Sequence, residues 1–339
     1  MAPQRTLHTF APRISQPAPL GNAPLNLAVI TSLRDIHRED RNGQMLDGNA
    51  YMMGVPEAIV HAINGDRERL LAWTQGVSRH HRHIIGPDQF DAMERRILQI
   101  GDEIRQRFRV VGLIHDDAEH DLHPRRGNPF PLRPEEGDWI LPTDLRAANG
   151  ELLTSNTVHI PSTFRGLPLR QRDERAAQKS EFERQIHQVG IEQMDADVLL
   201  SDHLMVILRD LLQEPADLRG RLLNIHPAIT DRDDSDCFRG DTPTADAISA
   251  AQAREVHTGS TFHFIDEGID TGPPIARLKP TPVLRTDAPQ QLRHRNYLTK
   301  VLVAFEGLVH YYDRLYSTFR PGDGQELTRS THDLPLSLT

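Results

Sequence analysis

An α/β fold built on a mostly parallel sheet is predicted by three observations. Short apolar runs rich in branched residues recur at residues 25–31 (L-N-L-A-V-I-T), 110–114 (V-V-G-L-I), 197–201 (D-V-L-L-S) and 221–225 (R-L-L-N-I), and such runs suit strands buried on both faces. Charged segments with helical spacing lie between them, the alternation that feeds parallel strands through crossover helices. Near the end, residues 260–266 and 274–278 alternate at period two, adding an antiparallel portion.

The elements follow in order. Residues 1–24 are rich in Pro and Ala and read as a loose tail without the apolar stretch of a signal peptide. After the first strand, residues 34–54 are polar with three glycines, a loop of functional length. Residues 55–63 read as a helix with Pro56 in its first turn, where a missing N–H costs nothing. Phe90, Met93, Ile97, Ile100 and Ile104 recur at helical spacing within 66–107, a helical elaboration outside the sheet. Residues 116–150 are dense in Pro, Gly and Asp and read as an irregular excursion. A third strand is expected at 158–161, a helix at 173–193 and a helical turn between the fourth and fifth strands. The last long helix starts near Ala288 and puts Leu298, Val301, Leu302, Phe305, Leu308, Val309 and Tyr312 on one face. Residues 321–339 read as a second tail, leaving 25–320 as one catalytic domain.

Composition narrows the function. Of 339 residues 37% are hydrophobic and 26% charged, enough to bury a core and exclude a mainly disordered chain. Lys and Arg total 39 against 48 Asp and Glu, so the net charge of -9 offers no basic surface to nucleic acid or anionic lipid. One cysteine, Cys237, rules out an internal disulfide framework and a four-cysteine zinc site, consistent with a cytoplasmic protein. No apolar run approaches the roughly 20 residues that span a bilayer. Histidines cluster at 79–83 (R-H-H-R-H) and with Asp116 and Asp117 at His115, His120 and His123, but neither set has a recognised ligand spacing, so no metal is expected.

The chemistry concentrates where strands end. In R-L-L-N-I-H-P (221–227) an apolar strand stops at Asn224, His226 and a proline, and open α/β sheets place their ligands at carboxyl ends. Alternation puts Asn224 and His226 on one side of the strand. Some 40 residues on, H-F-I-D-E-G-I-D-T-G-P-P (263–274) ends a second strand in a turn carrying Asp266, Glu267 and Asp270. Asn, His and Asp at two such turns suit acyl transfer to an amine: Asn and a protonated His donate to a developing oxyanion, while a carboxylate favours the protonated His and relays the amine's proton. His263, mid-strand, reads as structural, and Cys237 lacks an activating partner.

N-I-H-P followed by T-G-S-T-F-H-F-I-D-E-G-I-D-T-G-P, with D-A-D-V-L-L-S-D-H-L-M-V-I-L at 195–208, resembles the folate-dependent formyltransferases typified by glycinamide ribonucleotide transformylase. The likeness covers about residues 195–310. It implies the formyltransferase fold, a Rossmann-like sheet with helical and loop insertions in the N-terminal half. It also implies Asn224, His226 and Asp270 as catalytic residues and 10-formyltetrahydrofolate as formyl donor. Met205, Val206, Ile207 and Leu208 would line the pterin pocket, with Ile265, Asp266, Glu267, Gly268 and Ile269 closing its other side.

Two departures bear on the acceptor. The Gly, Ser and Asn-rich phosphate loop of the purine-pathway members is replaced by S-L-R-D-I-H-R-E-D (32–40), and the segment after the His by the acidic A-I-T-D-R-D-D-S-D-C-F-R-G (228–240). These look like the hydroxyornithine transformylases of hydroxamate siderophore biosynthesis, which implies δ-N-hydroxyornithine as acceptor. Asp233, Asp234 and Asp236 are then candidates for its α-ammonium, and Arg34 or Arg239 for its α-carboxylate. Glycinamide ribonucleotide or sugar-nucleotide formylation and hydrolysis of formyltetrahydrofolate are the alternatives. Transfer to methionyl-tRNA fits an acidic chain poorly. His226→Ala and Asp270→Ala are each expected to lower turnover at least about 10²-fold, the scale of a lost general acid or base, without loss of the fold; a near-normal rate in either variant removes that residue from the chemistry.

Overall fold

A computed structural model describes residues 23–32, 48–75, 86–116, 145–202, 204, 206–240 and 242–317. The branched apolar runs form strands β1 (Leu25–Thr31), β2 (Phe108–His115), β4 (Val198–Asp202) and β5 (Leu222–His226), and β3 (Thr157–His159) joins them. These five pair in parallel, while β6 (His257–Phe264) and β7 (Pro274–Pro282) extend the sheet antiparallel. The order across the single sheet is β3-β2-β1-β4-β5-β6-β7.

Each strand divides its side chains between two cores. Leu25, Leu27 and Val29 of β1, Val198 and Leu200 of β4, and Leu223 and Ile225 of β5 pack under helices α1 (Gly48–Ile63), α3 (Pro87–Arg107) and α6 (Pro289–Ser317). A further helical segment, α2 (67–75), adds Leu70 and Trp73 to the same core. On the opposite face, Ala28, Ile30, Leu199 and Leu222 pack with Phe182 and Ile186 of α4 (Arg172–His187) and with Leu204, Leu208, Leu211 and Leu218 of the segment joining β4 to β5. A small third core gathers Ala247 and Ala251 of α5 (Pro243–Ala251) with Val256, Val283 and Leu292. Burying each such aliphatic side chain contributes about 1.5–3 kcal/mol, so the two large cores fix the sheet between helical layers.

Several boundaries differ from the sequence expectation. α1 begins at Gly48, so Pro56 lies inside the helix instead of its first turn. Residues 66–107 hold α2 and α3 as separate helices, and α3 is part of the core layer: Phe90, Met93, Ile97, Ile100 and Ile104 are all buried. The helix expected at 173–193 is α4 followed by a wider π-type turn, Gln188–Gln193. α5 had no counterpart in the sequence reading; its nine residues, with Pro243 in the first turn, are too short to show a strong period. Most of the 34–54 loop, nearly all of the 116–150 excursion, the 79–83 histidine run and most of both tails lie outside the described residues.

Helix α6 is brought onto β6 by Gly307. A Cβ there would lie 2.3 Å from Phe262, whose ring is fully buried. Alanine favours a helix over glycine by about 1 kcal/mol, but overpacking a rigid core costs about 1–3 kcal/mol. Gly307→Ala is therefore expected to be net destabilising, read as a lower urea midpoint at unchanged slope; a raised midpoint would mean that the helix lifts off the sheet freely.

Candidate active site

Strand β5 carries the first two site residues. Leu223 and Ile225 face the α6 layer, so alternation turns Asn224 and His226 to the other face at the carboxyl end of the strand. Antiparallel pairing sets Asn224 opposite His263 and His226 opposite Thr261 of β6. The third residue, Asp270, stands in the turn after β6. Its φ of 50° is left-handed backbone, which Asp tolerates better than most residues. The turn is wound tightly: a Cβ on Gly272 would fall 1.7 Å from the Phe264 carbonyl oxygen, and one on Gly268 2.0 Å from Thr271 Oγ1. Asp266 ties it from within, its Oδ1 accepting from the Gly268 N–H at 3.0 Å and from Thr271 Oγ1 at 2.5 Å.

Asp270 draws the site together. One oxygen lies 3.3 Å from His226 Nδ1 and accepts the Gly240 N–H at 2.9 Å; the other accepts from Asn224 Nδ2 at 3.3 Å and lies 3.7 Å from His263 Nε2. Burial raises the Asp270 carboxyl, but the His226 hydrogen bond and charge, the Gly240 N–H and His263 outweigh it and hold it below its ordinary value. His226 is 4% exposed. Its Nε2 lies 2.9 Å from the Phe238 carbonyl oxygen, so both ring nitrogens face oxygen acceptors and a doubly protonated ring satisfies both.

His263, read from sequence as structural, stands inside this constellation. Its Nδ1 faces the Phe264 carbonyl at 2.8 Å and its Nε2 faces Asn224 Nδ2 at 3.1 Å. A neutral ring donating through Nδ1 and accepting at Nε2 fits both contacts. Burial pushes His263 down to about 4, although Asp270 pulls the other way. Asn224 thus directs one amide hydrogen at an imidazole and the other at a carboxylate. The cross-strand register was the signal that would have revealed His263.

On one flank of the triad, residues 206–209 lie outside helix and strand. Among the described residues no backbone hydrogen bond engages Val206, Ile207 or Leu208. Leu208 is buried and Val206 packs against the α4-side core together with Ile265. The segment ends in a turn anchored by buried Glu183 of α4, whose Oε2 accepts the N–H groups of Asp210 at 2.7 Å and Leu211 at 3.3 Å. Across from it, Ile269 is 54% exposed, a large apolar side chain presented to solvent. Arg209 Nε donates to the Glu267 carbonyl at 3.2 Å and joins the two segments.

Comparison with known proteins matches this architecture to one family: residues 154–301 fit the model described as formyl transferase. Those residues, under half of the chain, are similar to that family. Phosphoribosylglycinamide formyltransferase of Mycobacterium tuberculosis is 41% identical over 87 residues, 25% of this chain and 36% of that protein. The match thus spans about a third of that relative. The trifunctional purine biosynthetic protein adenosine-3 of Chironomus tentans is 30% identical over 82 residues, 24% of this chain and 5% of that protein. Among solved structures, PvdF of pyoverdin biosynthesis, titled a structurally unique N10-formyltetrahydrofolate-dependent formyltransferase, is 25% identical. It aligns with 86% of this chain and 100% of its own, at a TM-score of 0.59.

The matched stretch contains Asn224, His226 and Asp270 and both flanking segments. The acidic loop expected to meet the acceptor is largely neutralised from within. Asp234 Oδ1 lies 2.6 Å from Lys279 Nζ, and Asp236 pairs with the same lysine at 2.8 Å, with Arg254, and with the His257 N–H at 3.0 Å. Asp231 pairs with Arg277. Arg239 directs its guanidinium at the Thr230 carbonyl. Asp233 is exposed, and Arg34 and Met205 lie outside the described residues. Among the described residues no group of three metal-ligating side chains forms, and no helix is long and apolar enough to cross a membrane.

Folded His263 protonates only near 4, whereas an unfolded histidine protonates near 6.5. As pH falls the unfolded state therefore takes up the proton first, and stability drops between these values by up to about 1.4 kcal/mol per unit. Urea denaturation from about pH 7 to about pH 4.5 is expected to show this slope in the wild type and a shallower one in His263→Gln. Equal slopes would show that this buried imidazole does not govern acid stability.

Proposed function

We propose that the chain transfers a formyl group from 10-formyltetrahydrofolate to the side-chain hydroxylamine of δ-N-hydroxyornithine, forming a hydroxamate. The observation that carries formyl transfer is the convergence of Asn224, His226 and Asp270 on the carboxyl edge of the sheet, beside residues 206–208, whose backbone makes no backbone hydrogen bond among the described residues. The folate supplies a formyl group bonded to nitrogen, an electrophile ready for attack by a second nitrogen.

The residues present fit such a donor. A pterin has an edge of alternating donors and acceptors, and the unpaired backbone around Val206, Ile207 and Leu208 can read that edge. Val206 and Ile265 offer apolar surface for its ring, with Ile269 at the outer wall and Asp266, Glu267 and Gly268 in the turn between. The structural likeness to PvdF, titled an N10-formyltetrahydrofolate-dependent formyltransferase, supports this donor.

As nitrogen attacks the formyl carbon, charge develops on the carbonyl oxygen. His226 donates to that oxygen through Nε2, exchanging the Phe238 carbonyl for it. Asn224 gives up its longer hydrogen bond, 3.3 Å to Asp270, and adds a second donor while His263 keeps the amide oriented. Asp270 stabilises the imidazolium and accepts the proton lost by the attacking nitrogen, which is returned to the departing folate nitrogen. In this reading residues 25–320 act as one catalytic unit in the cytoplasm.

For the acceptor, the likeness to a formyltransferase of pyoverdin biosynthesis supports a substrate outside purine synthesis. Bulky, mixed-charge residues at 32–40 in place of a phosphate-binding loop support the same choice. Tetrahydrofolate release measured with δ-N-hydroxyornithine, with glycinamide ribonucleotide, with a sugar-nucleotide amine and without acceptor tests the reading. Release is expected with the first alone. Equal release without acceptor would make the protein a hydrolase, and release dependent on either of the other two would replace the acceptor.

A further inference from the structure

The acceptor loop pairs its acids internally, but a different carboxylate at the same sheet edge is left incomplete. β4 ends at Asp202, whose side chain is fully buried. It lies in register with Ile225, the residue between Asn224 and His226, and on its other side with Thr31 at the end of β1. Lys300 of α6, also buried, forms an ion pair with Oδ1. Apart from that pairing, among the described residues neither oxygen of Asp202 has a hydrogen-bond partner, and the buried Thr31 hydroxyl has none. A carboxylate offers about four lone-pair sites, so one ammonium leaves most of them empty, at a cost that buried polar groups rarely bear. Burial pushes the Asp202 carboxyl up against the pull of Lys300, the mark of a charge short of partners.

Alternation along β1 and β4 turns Thr31 and Asp202 toward the α6 layer, the face opposite Asn224 and His226. Neighbouring strands are about 4.8 Å apart. A molecule reaching over the β4–β5 edge would have one end at Asn224 and His226 and the other directed toward Asp202. In an ω-hydroxylamino amino acid, four single bonds separate the reacting nitrogen from the α-carbon, roughly 5–6 Å when extended. α6 holds this side of the edge closely, since Asn296, one turn before Lys300, donates from Nδ2 to the Pro227 carbonyl at 3.3 Å and the Gly259 carbonyl at 2.5 Å.

We propose that Asp202, assisted by the Thr31 hydroxyl, receives a primary ammonium carried by the acceptor a few methylenes from its reacting nitrogen, with Lys300 fixing the carboxylate in place. The inference rests on the amino-acid acceptor proposed above and assigns the anchor to Asp202 in place of Asp233, Asp234 and Asp236. A phosphorylated acceptor gains nothing from such an anchor, so the same residue selects against it.

Calorimetric binding tests the anchor without turnover, using δ-N-hydroxyornithine and the same molecule lacking its α-ammonium. The wild type is expected to bind the ammonium-bearing compound at least about 10-fold more tightly, because truncating one partner of a buried charge pair is costly. In Asp202→Asn the two affinities are expected to converge. Should that variant fail to fold because Lys300 is left buried and unpaired, the Asp202→Asn/Lys300→Met double variant takes its place in the same comparison. Preference for the ammonium compound that survives in the variant overturns the anchor even if formyl transfer occurs. Preference lost in the variant upholds it, and if the wild type then transfers no formyl group, the acceptor reading alone falls.

Discussion

The carboxylate of Asp270 is the point on which the site depends. It is reached by an imidazole from β5, by a backbone N–H from the loop after β5, and by one amide hydrogen of Asn224 from β5, whose other hydrogen meets His263 of β6. Three segments far apart in sequence are fixed relative to one another by one side chain. The left-handed backbone at Asp270 and the crowded glycines on either side set where that side chain stands. A residue with a branched Cβ would resist this conformation, and a longer acid would overshoot the two strands.

The sheet gives this hub its setting. Helices α1, α3 and α6 pack on one face, whereas the face bearing Asn224 and His226 is packed by α4 and by an irregular segment whose residues 206–208 make no backbone hydrogen bond among the described residues. Apolar cover and open hydrogen-bonding groups are thus side by side, a combination suited to a flat, polar-edged ring. On the far face the same carboxyl edge holds a buried Lys300–Asp202 pair. The two faces of one edge therefore present different chemistry: an imidazole hydrogen-bonded to a carboxylate on one, a fixed charge pair on the other.

Much of this was legible in the sequence, for local reasons. Branched apolar runs located β1, β2, β4 and β5, and period-two alternation located β6 and β7, because strand burial leaves its mark within a few residues. N-I-H-P and D-E-G-I-D-T-G likewise exposed the triad, since an abrupt change from apolar to polar marks a strand end. What escaped depended on partners distant in the chain. His263 looked structural because its link to Asn224 exists only once β5 and β6 are in register. Asp234 and Asp236 looked open to a ligand because the cations that neutralise them, Lys279 and Arg254, follow much later. The buried pair of Asp202 with Lys300 likewise joins residues almost 100 positions apart. α5 was missed because nine Ala-rich residues show little periodicity.

The contact between His226 Nε2 and the Phe238 carbonyl has a consequence for selectivity between ground and activated states. In the proposed reaction the Phe238 carbonyl holds the hydrogen bond that the formyl oxygen would take, and the two are acceptors of nearly equal strength. Exchanging one for the other gains little while the substrate is at rest. Once the incoming oxygen gathers negative charge, it outcompetes the neutral carbonyl by the margin that separates charged from neutral hydrogen bonds. In that proposed reaction the protein's own backbone would act as a reference ligand, so that the imidazole would favour the reacting state over the merely bound one.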